Sequence, residues 1–197
     1  MNPAESLLAA AGLLAVAAIT PGPNNLIVMH AAAARVRDAL PAVAGIVGGG
    51  LLVLSLVVFG VGAAFGAWPW LRAVAAALGA GYLAWLGLRL AWRGSSAGAT
   101  AALPRGFFAL CAFQLANPKT WVMMLTIVAA MPAQDAATTW LRLAPLAVAI
   151  PIPCLLLWAG FGRALARRLG DGRLRERVDR ALGLLLVACA AALLLPT

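Results

Sequence analysis

The sequence predicts an all-α integral membrane protein: six transmembrane helices forming one domain over residues 1–197, built as two inverted three-helix repeats. Three observations carry that prediction. The chain is 64% hydrophobic with a mean hydropathy of +0.97, far beyond a soluble domain, in which about half the residues are apolar and about a quarter charged. Charge is segregated, because Glu5 is the only Asp, Glu, Lys or Arg in residues 1–34 and residues 39–71 contain none, leaving runs that each hold a span of about 20 residues. Basic residues also crowd alternate loops.

Taking charges, proline and glycine as breaks places helices at about 4 to 31, 39 to 66, 71 to 92, 107 to 131, 143 to 164 and 178 to 196. The first is not expected to be a cleaved signal peptide: no basic region precedes it, the first Lys or Arg being Arg35, and further long apolar stretches follow. The third and sixth are the shortest, with charge-free cores from Ala73 to Leu88 and from Ala181 to the C-terminus. Arg72, Arg89 and Arg180 complete them by snorkelling to the interface.

Loop charges set the orientation. Arg35 and Arg37 follow the first helix, Arg89, Arg93 and Arg105 follow the third, and seven arginines from Arg163 to Arg180 follow the fifth. The opposite side receives only Arg72 and Arg142, twelve against two, so loops 1-2, 3-4 and 5-6 are expected in the cytoplasm and both termini outside. The net charge of +9 is thereby explained by topology and implies no nucleic acid. The arginine-rich segment 163–180 also suits contact with anionic lipid.

With three helices in each half, repeat one (about 1–95) and repeat two (about 104–197) enter from opposite sides, the geometry of an inverted repeat. The first helix of each half is interrupted, at Thr20-Pro21-Gly22-Pro23-Asn24-Asn25 and at Asn117-Pro118-Lys119. The second helix of each half carries a further irregularity, Gly48-Gly49-Gly50 and Pro151-Ile152-Pro153.

Chemistry concentrates at the interruptions. Pro21, Pro23 and Pro118 lack an amide hydrogen, so in a helix they leave the carbonyls of Ala17, Ile19 and Gln114 without their usual donors. Such breaks are tolerated in a membrane where they line a cavity, or as kinks capped by neighbours such as Asn24, Asn25 and Asn117. Lys119 is the only lysine among fifteen basic residues, near the middle of helix four. A charge at that depth costs about 2.5 to 3.5 kcal/mol on insertion scales, so it is expected to face the bundle interior and find a partner. Two readings stay open, a tie to a freed carbonyl or a partner for a substrate carboxylate.

All six carboxylates, Glu5, Asp38, Asp135, Asp171, Glu176 and Asp179, fall at helix ends or loops. No carboxylate relay crosses the membrane centre, and a dicationic ligand finds no acidic partner there. A net-neutral zwitterion fits better, its ammonium on carbonyl and asparagine oxygens and its carboxylate on Lys119 and the helix amides near Asn24 and Asn25. The candidate binding or gating set is therefore Pro21, Gly22, Pro23, Asn24, Asn25, Gln114, Asn117, Pro118 and Lys119.

Other features read as packing. Gly45-x-x-x-Gly49 and Gly62-x-x-x-Gly66 suit close helix contact, and the glycine run at 45–50 lacks the Lys-Ser/Thr ending of a phosphate loop. His30 is a lone histidine near a cytoplasmic helix end, and Tyr82, Trp85 and Trp92 suit packing or the interfacial belt. Ser55 lacks the histidine and acid of a nucleophilic triad. Cys111, Cys154 and Cys189 form no C-x-x-C pair, which removes the usual redox or zinc signature. No catalytic or metal-ligating set emerges, which argues against a membrane enzyme or redox module. A passive channel and a non-transporting scaffold remain as rivals.

At Thr20-Pro21-Gly22-Pro23-Asn24-Asn25, at Gly79-Ala-Gly-Tyr-Leu-Ala-Trp-Leu-Gly87 followed by Arg89, at Asn117-Pro118-Lys119 and at Ala181-Leu-Gly-Leu-Leu, the chain resembles the LysE/RhtB family of amino-acid exporters over essentially its whole length. The resemblance implies export of amino acids or close derivatives across the bacterial inner membrane, driven by the proton gradient, without ATP or prosthetic group. The Pro-Gly-Pro-Asn-Asn form, Gln114 and the ending Leu-Leu-Leu-Val-Ala-Cys189 are similar to the cysteine and O-acetylserine exporter branch. The chain departs from many members in lacking an acid or histidine in helix two and an aspartate in helix five. Proton coupling thus has no obvious carrier beyond Lys119 or His30, and export of a basic amino acid becomes the secondary expectation. Homo-oligomerisation is left open.

Overall fold

The computed structural model describes residues 3–61, 67–93, 103–132 and 134–168, with scattered positions between 177 and 191. All regular structure among the described residues is helical: α1 (Pro3–Ile19), α2 (Pro23–Ala31), a 3-10 turn (Val36–Ala39), α3 (Leu40–Leu56) running into a π turn (Val57–Val61), α4 (Pro69–Arg93), α5 (Phe107–Ala116), α6 (Pro118–Ala129), α7 (Ala136–Ala149) and α8 (Pro151–Arg168).

Local chemistry explains most of these boundaries. The interruptions in helices one and four are restarts rather than kinks. Pro23 and Pro118 each open a new helix, where the missing N–H costs nothing, after an extended Gly22 and an extended Asn117 respectively. The Asn117 side chain caps α6 by accepting from the Lys119 backbone N–H at 3.2 Å. At the start of α5, Gly106 has φ 80 and ψ 168, a conformation that glycine alone adopts without strain.

One expected boundary is corrected. Helix five was expected from about 143 but begins at Ala136, because Asp135 caps it by accepting from the Thr138 N–H at 2.9 Å. Arg142 is accordingly a half-buried helical residue rather than a loop charge. Helix one is two helices bent by 55°. The expected sixth helix and Gly62-x-x-x-Gly66 lie largely outside the described residues.

By length and composition, Val36–Gly60 and Ala136–Arg167 can each cross a membrane, and the bent pair Ala4–Ile19 and Pro23–Ala31 makes a third if counted as one span; Phe107–Ala116 and Pro118–Ala129 are shorter apolar helices. Leu8, Val16, Phe108, Leu141 and Leu157 are exposed on the outside of the bundle, as suits a lipid-facing surface and not a water-facing one.

Buried apolar side chains form two clusters. One joins α2, the first half of α3, α5 and α8 through residues such as Leu26, Val43, Ile46, Leu110, Phe113 and Leu155. The other joins α1, the second half of α3, α6 and α7 through Leu14, Val53, Leu54, Met124, Ile127 and Leu143. The two broken spans pass from one cluster to the other at their breaks, residues 20–25 and 114–120; α7 hands over to α8 at 150–151, and α3 changes cluster at Gly49–Gly50 without a break in the helix. The irregular backbone therefore occupies one layer between two apolar layers.

The first cluster is drawn tight by glycines. A Cβ at Gly45 would lie 2.6 Å from the Phe107 carbonyl oxygen, one at Gly49 2.6 Å from Gln114 Cγ, and one at Gly162 2.5 Å from the Met29 carbonyl oxygen. These positions let α3 close on α5 and α8 on α2, the most extensive helix pairings among the described residues.

Candidate functional site

Broken helices leave carbonyls without intrahelical donors, and inside a membrane each needs another. Around the first break the Ala17 carbonyl accepts from the Thr20 hydroxyl at 3.0 Å, Ala18 from the Asn25 amide at 3.2 Å, and Ile19 from the Trp158 indole at 3.2 Å. The Thr20 carbonyl accepts both from Asn25 at 2.9 Å and from Lys119 Nζ at 3.0 Å. Around the second break the Gln114 carbonyl accepts from the Asn117 N–H at 3.2 Å and Leu115 from the Trp121 indole at 2.9 Å. All three carbonyls singled out from the sequence, Ala17, Ile19 and Gln114, therefore have donors.

The two breaks bind each other. Asn24 and Gln114 exchange reciprocal amide hydrogen bonds, both 3.0 Å long, across 90 residues of sequence. Asn117 donates to Asn24 Oδ1 at 3.3 Å, and the Thr120 hydroxyl donates to Gln114 Oε1 at 2.8 Å. Asn25, Gln114, Asn117 and Thr120 are all buried. A buried amide network satisfied in this way fixes one geometry, since a slipped register would strand several polar atoms at once.

Lys119, half-buried, reaches from the first turn of α6 to the first break, where its ammonium donates to the Thr20 carbonyl at 3.0 Å and to the Thr20 hydroxyl at 3.1 Å. Of the two sequence readings for this lysine, the tie to a freed carbonyl is the contact present here, and it leaves the ammonium on the rim of a cavity. That cavity, about 50 Å³, is lined by Gly22, Pro23, Asn24, Asn25, Gln114, Lys119 and Thr120 on its polar side and by Ile46, Val47, Met123, Met124, Ala147 and Leu155 on its apolar side. It has room for a few water molecules. Lys119 is the one charged side chain among its described lining residues.

Seven of the nine residues singled out from the sequence thus meet around one site. Pro21 is exposed beside it, and Pro118 is buried at the start of α6. Thr120 and Trp158 were missed. Thr120 adjoins Lys119 and is a hydroxyl in the first turn after a break, a readable signal; Trp158 comes from α8, and nothing local marks it. Ser55 is structural, donating to the Leu51 carbonyl at 2.8 Å and accepting from the Trp140 indole at 2.9 Å. Cys111 and Cys154 are free thiols.

A polytopic helical protein whose helix breaks are sealed by side chains around a cavity with one polar wall, between two apolar layers, has the build of a membrane transporter. The sequence matches the family model described as LysE type translocator over residues 15–197, and the chain belongs to that family. It is a multi-pass membrane translocator of amino acids or related solutes, from a family of transporters and not of enzymes. No curated protein and no solved structure matches the chain.

Proposed function

We propose that the protein exports a small, net-neutral amino acid or derivative across the bacterial inner membrane by alternating access, driven by the proton gradient. The observation that carries this reading is the lining of the central cavity, in which a single cation, Lys119, faces amide and carbonyl oxygens with no carboxylate among the described residues. A zwitterion satisfies both: its carboxylate takes the ammonium that now rests on Thr20, and its own ammonium takes the oxygens of the break. A basic amino acid would place a second cation beside Lys119 without a counter-charge, which disfavours it.

The cavity is too small for an amino acid when set against ligand pockets of roughly 300 Å³ and more, so uptake requires the halves to separate. Six spans in two inverted repeats supply the hinge. The positive-inside rule supports an orientation in which the end bearing Arg35, Arg37, Arg105, Arg163 and Arg167, at loops and helix ends beside the first apolar cluster, faces the cytoplasm and both termini lie outside.

The test is mass spectrometry of the medium around cells producing wild-type protein or Lys119→Gln at matched membrane abundance, with cysteine and O-acetylserine among the solutes followed. Accumulation of an amino acid outside wild-type cells only, saturable and abolished when the proton gradient is collapsed, supports the reading. Flux that persists without the gradient makes the protein a channel, and media identical to empty-vector cells defeat export altogether.

A further inference from the structure

A second cavity, about 440 Å³, opens at the basic end of the molecule, where the end of α2, the 3-10 turn, the start of α3 and the segment leading into α5 meet. Its volume lies in the range of small-molecule pockets, which the central cavity does not reach. Three segments bring residues of complementary charge to its lining: His30 from α2, Asp38 from the 3-10 turn, and Arg105 next to the N-terminus of α5. Gly106, the capping position of α5, has no side chain to bind the first helical amides, so that helix end also favours an anion beside Arg105.

The position of this cavity gives those charges a use. Its inner wall includes Ile27 and Ala42, and the central cavity includes Ile46, Val47 and Leu155. All five belong to the same buried apolar cluster. One packed apolar layer, held closed by the Gly45, Gly49 and Gly162 contacts, is therefore the partition between the two cavities.

We propose that the larger cavity is a loading site for a zwitterionic α-amino acid, occupied from the cytoplasm before the partition opens to the Lys119 site. Arg105 holds the carboxylate as a planar pair of donors, and Asp38 holds the ammonium. A lone phosphate or anionic headgroup would meet Asp38 as a like charge, which is why a zwitterion fits this cavity better. The inference rests on the export reading and on the orientation it assigns.

The experiment uses inverted membrane vesicles, whose exposed cytoplasmic face turns export into uptake, with the twenty isotope-labelled L-amino acids as the probe. For whichever amino acid wild-type vesicles accumulate, Arg105→Gln and Asp38→Asn are expected to raise KM about tenfold, the effect of losing one charge-assisted hydrogen bond, with kcat within about twofold of wild type. Arg105→Lys and Asp38→Glu recover part of the loss. The α-hydroxy analogue, lacking the ammonium, competes poorly in wild type and gains relative to the amino acid in Asp38→Asn, a change that a merely structural residue would not produce. Unchanged KM in both variants, with uptake still abolished by Lys119→Gln, overturns the loading site and leaves the exporter standing. An Arg105 effect confined to vesicles rich in anionic lipid makes this a headgroup site and overturns the proposal. Absence of uptake by wild type defeats the exporter and the loading site together.

Discussion

Gly22 lies directly against Lys119: a Cβ placed on Gly22 would sit 2.9 Å from Lys119 Nζ and 3.3 Å from its Cδ. The backbone of Gly22, at φ −171 and ψ 180, is extended and open to any residue, so glycine is needed here for room and not for conformation. The absent side chain is the space through which the ammonium reaches Thr20.

Gly22→Ala is accordingly expected to fold and insert normally, since the obstructed atom is the end of a flexible chain, while pushing the ammonium off the Thr20 carbonyl. Export at matched abundance should fall about tenfold, the scale of one charge-assisted hydrogen bond. In a Lys119→Gln background the same change should cost little more. A fully additive double variant would mean that the two residues act separately.

Gln114 joins the two breaks, and Gln114→Leu would remove the acceptor of the Asn24 amide and of the Thr120 hydroxyl and a donor to Asn24 Oδ1. Thermal unfolding in detergent should show a loss of about 1–2 kcal/mol, modest because membrane side-chain hydrogen bonds are individually weak. Adding Asn24→Leu should cost less than its effect alone, because that partner has already been lost. Equal costs in both backgrounds would show that the pair is not coupled.

The breaks were legible because Pro-Gly-Pro-Asn-Asn and Asn-Pro-Lys are local statements: proline withdraws a donor, asparagine replaces it, and a lysine in an apolar run needs a reason. That Asn24 meets Gln114 was not legible, since it depends on how two helices cross 90 residues apart. Arg142 hides the boundary of helix five, because a charge reads as the end of a span, whereas the Asp135 cap on the Thr138 N–H starts the helix at Ala136. Trp158 was unreadable for a similar reason: its donation to Ile19 exists only once α8 is packed beside the first break.

The glycines of α3 separate close packing from mere smallness. Gly45→Ala places a methyl 2.6 Å from a backbone oxygen that cannot rotate away, whereas a Cβ at Gly12 meets nothing within 4 Å. Gly45→Ala should lower stability by about 1–3 kcal/mol and reduce membrane abundance, and Gly12→Ala should be neutral or slightly stabilising. Equal melting temperatures for the two variants would refute the tight α3–α5 contact.

The cap of α7 gives a pH signature away from the transport site. The exposed Asp135 carboxyl is held below its ordinary value chiefly by hydrogen bonds from the Thr138 side chain and then its backbone N–H. A depressed folded pKa means that the carboxylate contributes stability above its unfolded pKa and loses that contribution as pH falls through the folded value. Asp135→Ala should therefore melt below wild type at neutral pH, and the gap should shrink as the solution is acidified through and below the carboxylate range. Asp135→Asn, which keeps an acceptor but no titrating group, should narrow the neutral-pH gap and show less of the acid-dependent change. A constant gap between wild type and Asp135→Ala at every pH would place the cap's stabilisation in packing rather than in the charged carboxylate.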